Sequence, residues 1–324
     1  MSLSITSMRE DHLEDAAALV TRRYKALRAR VPLMPSRYEQ RDTIQGMLRG
    51  IAAGNSGVIA VDRGRVLGFM TGLPLEDLLG MRCAYSPEWA NAADLQDSRR
   101  IYEEMYTFLA PRWIEDGCLC HAVSVLAIDG EGMEGWQWMG FGMIAVDGVR
   151  LPRPLPGVTA KAEVRQATLG DEGEVRELFT GLARHVAAAP TYFIHEMDDP
   201  EEWLAKPGNL LWLAYQDGEA AGCLGLEAGH KGGCEVLQDE KTVNVEPAFI
   251  KEGQRGIGIG ATLLNHALER AAEEGYTRCA VDFESGNPLA ARFWMQRFEP
   301  VCYSLVRVID ERVAKGKPDA KIGR

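Results

Sequence analysis

The sequence predicts two tandem α/β domains, each a mixed sheet flanked by helices. Three observations lead to that fold class. A strand–turn–strand segment occurs twice, a proline-rich break separates the copies, and a glycine-rich loop joins a strand to an amphipathic helix in the second copy. The 324 residues suffice for two domains of about 150 residues each. At 46% hydrophobic and 26% charged residues, the composition is that of an ordinary globular protein.

The repeat comes first in the chain. Ile59-Ala-Val-Asp-Arg-Gly-Arg-Val-Leu-Gly68 lines up with Leu213-Ala-Tyr-Gln-Asp-Gly-Glu-Ala-Ala-Gly222, and Gly64 and Gly218 supply the positive φ that a tight hairpin needs. Upstream, Ser4-Ile5-Thr6 and Val164-Arg165-Gln166 read as strands leading into acid-rich helix starts. Downstream, Ala122-Val-Ser-Val125 matches Ala280-Val-Asp-Phe283 as a buried strand. Each is followed by a short helix and a closing aromatic, Trp136 to Phe141 and Phe293 to Phe298. Three matches in one order at nearly constant offset make chance similarity a poor explanation. Between the copies, Leu151-Pro-Arg-Pro-Leu-Pro-Gly157 disfavours helix and central strand. The expected domains are therefore 1–153 and 160–312, followed by a polar tail over 313–324.

The formal net charge of −11, from 47 acids against 36 bases, opposes binding to phosphate backbones, so nucleic acid is not expected as a partner. Such a surface is compatible with a cationic small substrate. No run of about 18 apolar residues appears, which argues against a membrane partner or span. Early acids in MSLSITSMREDHLEDA argue against a signal peptide, so the expected location is cytoplasmic. The seven cysteines are an odd set. Cys118 and Cys120 lack a second pair at metal-ligand spacing and have only His121 nearby, so reduced structural thiols are expected and no metal site.

The chemistry concentrates in the second copy. After the strand-like Thr242-Val-Asn-Val245 comes Gly253-Gln-Arg-Gly-Ile-Gly-Ile-Gly-Ala261. A helical stretch follows in which Leu263, Leu264, Ala267, Leu268 and Ala271 share one face and Gly275 ends the helix. A strand, a glycine loop and a helix start form an anion cradle, because the first-turn N–H groups are free and glycine lets the ligand approach the backbone. Gly256-x-Gly258-x-x-Ala261 also fits a loose dinucleotide fingerprint. The polar residues Lys251 to Arg255 stand where that fingerprint needs an apolar strand. A P-loop fails because no Gly-Lys-Ser/Thr follows.

Arg255-Gly-Ile-Gly258-Ile-Gly260, with Val245-Glu-Pro247 upstream, resembles the first signature of the GNAT acetyltransferase superfamily. Asn287-Pro-Leu-Ala290-Ala-Arg-Phe293-Trp294-Met-Gln-Arg-Phe298 resembles its second. The resemblance covers about residues 164–309, and the first half looks like a diverged second copy. It implies acetyl-CoA as cosubstrate and transfer of the acetyl group to a primary amine of a small molecule or peptide by direct attack. Backbone amides from Arg255 through Ala261, including Gly256, Gly258 and Gly260 and next to Gln254, would bind the pyrophosphate. The strand ending at Val245 would splay from its neighbour to admit pantetheine, with Asn287 on the pantetheine arm. A backbone N–H near Val245 would stabilise the oxyanion, and no cysteine is needed as a nucleophile.

Three departures from the family pattern matter. Arg255 follows Pro247 by eight positions, more than the family spacing, although a longer loop is thermodynamically cheap. The tyrosine that often serves as general acid is Trp294, whose indole cannot protonate a thiolate. Tyr303 is a substitute acid or a packed side chain, and water is the other proton source. The position of the usual basic glutamate, six before Val245, is Asp239, with Glu240 beside it. These two are a catalytic base or exposed acids at a strand start. Tyr192, His195 and Glu196 fall in the region that often lines the acceptor site, while His121 and His185 carry no comparable signal. In the first half, Glu88 to Ser98 contains no glycine where the loop should be, so that copy reads as degenerate, with packing, dimerisation or cleft-shaping as its role. A homodimer stays open. The competing class is a non-catalytic CoA-binding or interaction protein, and a nicotinamide oxidoreductase is disfavoured by the loop context.

Overall fold

The two repeated segments fold to the same hairpin. Arg63 and Gly64 have φ of 51° and 79°, and Asp217 and Gly218 have φ of 53° and 84°, the pair of left-handed residues a type I′ turn requires. The computed structural model describes residues 3–52, 55–159, 161–194, 196–229 and 233–314. In chain order the first half carries β1 Ser4–Ser7, α1 Leu13–Arg30, α2 Arg41–Ala52, β2 Gly57–Asp62, β3 Arg65–Thr71, β4 Leu73–Leu78, β5 Met81–Ser86, β6 Asn91–Ala93, α3 Ser98–Glu115, β7 Cys120–Leu126, α4 Gly130–Trp138 and β8 Gly142–Arg150. The second carries β9 Glu163–Gln166, α5 Glu172–Ala187, α6 Pro200–Ala205, β10 Leu210–Gln216, β11 Glu219–Ala228, β12 Thr242–Ile250, α7 Ile259–Glu273, β13 Arg278–Glu284, α8 Pro288–Trp294 and β14 Glu299–Val308.

Both hairpins carry a register shift at the same place, between Ala60 and Val61 in β2 and between Ala214 and Tyr215 in β10. Gly68 and Gly222 stand opposite Ala60 and Ala214. A Cβ at Gly68 would lie 2.4 Å from Ile101, and one at Gly222 would lie 2.5 Å from the Phe249 carbonyl oxygen. Both positions therefore demand the smallest residue. Helices α1 and α5 bury corresponding stripes, Ala16, Leu19, Val20 and Leu27 against Val175, Leu178, Phe179 and Val186.

The chain forms two compact units. One contains the described residues of Met1–Val146, Cys234–Val236 and Pro300–Arg324, and the other those of Asp147–Gly233 and Leu237–Glu299. Where the sequence suggests a linear break near residue 155, the chain passes between units inside β8. Strand β14 belongs to the first unit because its backbone groups are satisfied on β7, from Cys302 opposite Leu126 to Val308 opposite Cys120. Cys234–Val236 joins the same unit, where Glu88 Oε1 accepts from the Val236 N–H at 2.9 Å. The predicted polar tail is described only to residue 314; residues 315–324 lie outside the described residues.

In the first unit, β1, β2, β3 and β6 form one antiparallel sheet, and β4, β5, β7 and β14 pair in that order, with β5 and β7 parallel. Its core is aromatic, with Tyr102, Tyr106, Trp113, Trp136 and Phe141 in one cluster. His121 lies in that core. Its Nδ1 bonds Tyr106 Oη at 2.7 Å and its Nε2 bonds the Cys118 carbonyl at 3.1 Å. Both ring nitrogens are thus engaged, and burial pushes the imidazole down to about 4. All seven cysteines are buried and none is in a disulfide.

In the second unit the order is β13-β12-β11-β10-β9, antiparallel except for the parallel pair β12 and β13. This is the predicted mixed sheet. Helix α5 packs Val175, Leu178 and Phe179 on Leu211, Leu213 and Cys223. The predicted face of α7, Leu263, Leu264, Ala267, Leu268 and Ala271, is fully buried. No helix among the described residues is long and apolar enough to cross a membrane.

Candidate active site

The site begins where β12 leaves β13. Their parallel pairing runs only from Thr242 opposite Arg278 to Asn244 opposite Ala280, and beyond it the strands part. On its other edge β12 bulges. Val245 faces Leu226 but Ala248 faces Leu224, leaving Glu246 and Pro247 outside the ladder, as suits a residue with no N–H. The partner strand has Gly225 there, and a Cβ on it would lie 2.6 Å from the Glu246 carbonyl oxygen.

Past the bulge β12 stays on β11, and the Lys251 N–H donates to the Ala221 carbonyl at 2.9 Å. Antiparallel alternation then turns Phe249 and Lys251 to β11 and turns the amide groups of Ala248 and Ile250 to the open edge. The Ile250 carbonyl accepts from Arg255 Nε at 2.9 Å, and that guanidinium lies 5.7 Å from the Phe249 ring centre. The extra residues between Pro247 and Arg255 therefore lengthen the strand and add one short turn, Glu252–Gln254. Arg255 clamps that extension shut with its side chain.

The glycine loop leads into α7 as expected. Gly256 and Gly258 have φ of 78° and 102°, and Gly258 caps the helix. A Cβ at Gly258 would also lie 3.0 Å from Lys161 Cγ. The Thr262 N–H returns to the Gly258 carbonyl at 3.1 Å, so Ile259, Gly260 and Ala261 supply the unpaired first-turn donors. Facing them, Asn287 caps α8 by accepting from the Ala290 N–H at 3.2 Å. Between these walls lies a mostly apolar cleft of about 380 Å³. Gln254, Arg255, Gly256, Gly258, Gly260, Ala261 and Asn287 all line it.

The other sequence-predicted residues lie elsewhere. Val245 is buried in the ladder and is not part of the lining. Strand β12 starts only at Thr242, so strand alternation does not reach Asp239. That carboxylate accepts from Arg278 Nη1 at 2.8 Å and from the Lys241 N–H at 2.9 Å, in a turn that Glu240 shares. Tyr303 sits on β14 against the core of the first unit. Trp294 does line the cleft, packed edge-on between Phe293 and Phe298 at 4.7 and 5.4 Å. Tyr192 and Glu196 are exposed and outside the lining, and His195 lies outside the described residues.

Among the lining residues that the sequence reading did not single out, two are polar and chemically useful. His185 projects from the end of α5 into the lining. Burial first, and then the Arg255 guanidinium, lower its pKa from the ordinary 6.5. Its place three residues beyond Leu182 on the α5 stripe was the available signal. Arg297 closes the other end of the wall, one turn past Phe293. Cys223 lines the cleft too, but burial raises its thiol to about 12, so it is no nucleophile at neutral pH.

The equivalent region of the first unit is filled. Asn91 Nδ2 donates to the carbonyls of Pro87 at 2.8 Å and Ser124 at 3.0 Å, bridging the gap between β6 and β7. At the head of α3, Asp129 accepts from Ser98 Oγ at 2.7 Å and from Arg23 Nη2 at 2.9 Å. The Arg23 and Asp129 side chains are only 4% and 3% exposed. Arg23 occupies the place that Leu182, a lining residue, holds on α5.

Residues 175–298 match the model of the acetyltransferase (GNAT) family. No curated protein matches the sequence. Among solved structures, the fold resembles a GCN5-related N-acetyltransferase from Sphaerobacter thermophilus, at 12% identity over 94% of this chain and 95% of that one, with a TM-score of 0.53. It also resembles the GCN5-related glucosamine N-acetyltransferase region of a fungal multi-domain β-N-acetylglucosaminidase, at 13% identity and a TM-score of 0.50, covering 94% of this chain and 38% of that one. A tandem GNAT protein from the clavulanic acid biosynthesis pathway aligns at 15% identity over 95% and 98% of the chains, with a TM-score of 0.46.

Proposed function

Since residues 175–298 form a domain of the acetyltransferase (GNAT) family, we propose that the chain is an acetyl-CoA-dependent N-acetyltransferase acting on a primary amine of a small molecule or peptide. One observation carries the proposal. A single cleft brings together the first-turn donors of α7, the open edge of β12 and the Asn287 cap.

The residues fit such a cosubstrate. The loop glycines leave the backbone bare, and a helix start contributes roughly 0.3–1 kcal/mol per nearby charge. Ala248 and Ile250 offer strand-edge groups to the amides of a pantetheine arm, and Asn287 stands across from them. Acetyl-CoA supplies an activated carbonyl; the acceptor nitrogen forms the new C–N bond as the C–S bond breaks. The Ala248 N–H is directed at the open edge where charge develops on the carbonyl oxygen. His185 takes the proton released by the attacking nitrogen, and solvent water protonates the departing thiolate, because Trp294 cannot. Neither Cys223 nor any other buried cysteine takes part.

A second reading has its own support. With Trp294 in the tyrosine position and no carboxylate in the lining, the cleft also suits a protein that binds CoA without turnover. The test is free-thiol release from acetyl-CoA with a panel of amines. Acceptor-dependent release supports the enzyme, whereas saturable binding with no release across the panel supports the binding protein.

A further inference from the structure

We infer that Arg297 reads the ribose 3′-phosphate of coenzyme A, so that the chain distinguishes the full cosubstrate from its dephospho form. The inference rests on the cosubstrate reading above and adds a specificity residue to it.

The cleft has two ends. Asn287, His185 and Leu182 stand at one. From there α8 runs past Ala290 and Phe293 to its end at Trp294, and the turn that follows brings Arg297 to the lining. The glycine cradle lies between, since a Cβ on Gly260 would be 3.4 Å from the Phe293 ring. With a pyrophosphate on the cradle and the thioester arm directed at Asn287, the nucleoside is left the Phe293–Arg297 end.

Contacts within its own turn hold Arg297 in place. Nη1 donates to the Phe293 carbonyl at 2.8 Å, and the guanidinium stacks 4.1 Å from the Phe293 ring centre. These contacts fix its plane. Its Nε is buried with no hydrogen-bond partner. Among the described residues no carboxylate pairs with it, and the nearest side-chain acceptor is the neutral Gln296 Oε1 at 3.5 Å. Burial alone lowers its pKa, with no acid to offset the effect. The contrast within the molecule is clear. Arg23, Arg28 and Arg278, also screened from solvent, each have a carboxylate at 2.8 to 3.0 Å, and Arg150 spends its donors on three carbonyls. A half-desolvated cation without a counter-charge is costly, and a phosphate ester matches the guanidinium fork in charge and shape.

Calorimetric titration of CoA and of 3′-dephospho-CoA into wild type and Arg297→Met tests the inference. Wild type should prefer CoA by about tenfold or more. Arg297→Met should lose that preference while keeping the wild-type affinity for dephospho-CoA, and Arg297→Lys should restore part of it. Equal wild-type affinities would overturn the inference. So would an Arg297→Met variant that weakens both ligands alike, since the side chain would then only hold α8. Wild type that binds neither compound would instead remove the cosubstrate reading beneath it.

Discussion

Asp129 and Asn287 hold the same post in the two copies. Each caps the short helix after a central strand, accepting from the third helical amide, Gly132 at 2.8 Å and Ala290 at 3.2 Å. One atom separates their chemistry. The Asp129 carboxylate is bound inside its unit by Arg23 and Ser98, whereas the Asn287 carboxamide faces an open cleft. The region beside this cap is core in one copy and an open cleft in the other.

That difference predicts a stability effect. Asp129→Ala leaves a buried Arg23 charge unpaired and should cost about 3–5 kcal/mol, read as a lower urea midpoint. In protein that remains folded, acetyl-CoA binding by the second unit should be retained. A loss under 1 kcal/mol would mean that the pair contributes little.

The role proposed for His185 predicts an acid limb in the pH profile of turnover. Burial and the Arg255 guanidinium outweigh the opposing influence of Asn287 and of the acids Glu252 and Glu284, so the imidazole stays neutral to a pH below its ordinary 6.5. The rate should therefore fall as pH drops through that lowered value. His185→Gln should remove this limb and reduce kcat by about 10²-fold or more, with CoA affinity little changed. An unaltered pH profile in His185→Gln would assign the base elsewhere.

Asp239 is proposed to serve the turn before β12. Asp239→Asn removes the charge paired with Arg278 in a partly exposed site, and should cost about 1 kcal/mol or less with kcat nearly unchanged. A large drop in kcat without loss of stability would restore it as a catalytic group.

Much of this architecture was legible in the residues. Gly64 and Gly218 announced twin hairpins because few other residues tolerate those dihedrals. The spacing of Gly256, Gly258 and Asn287 marked two walls of one cleft. The path of β14 was not legible, because an apolar strand does not encode which neighbour it pairs with, and Cys302 to Val308 suit β7 as well as any edge. The role weighed for Asp239 came from its position relative to a motif and that for Tyr303 from the need to replace the acid lost at Trp294, whereas their contacts depend on a strand start and a sheet partner that only folding specifies. His185 and Arg297 were hidden for the opposite reason. A histidine on a helical stripe and an arginine after an aromatic are ordinary in sequence, and become distinctive only through the cleft they border.

The most direct test of the account is titration of acetyl-CoA into wild type and Gly258→Trp. Gly258 has φ of 102° and a Cβ there would crowd Lys161, so an indole at this position both strains the cap and fills the proposed phosphate cradle. The account predicts saturable binding near one per chain for wild type and none for a variant whose circular dichroism and melting show it folded. Equal binding by both proteins would contradict the placement of the cosubstrate on this loop.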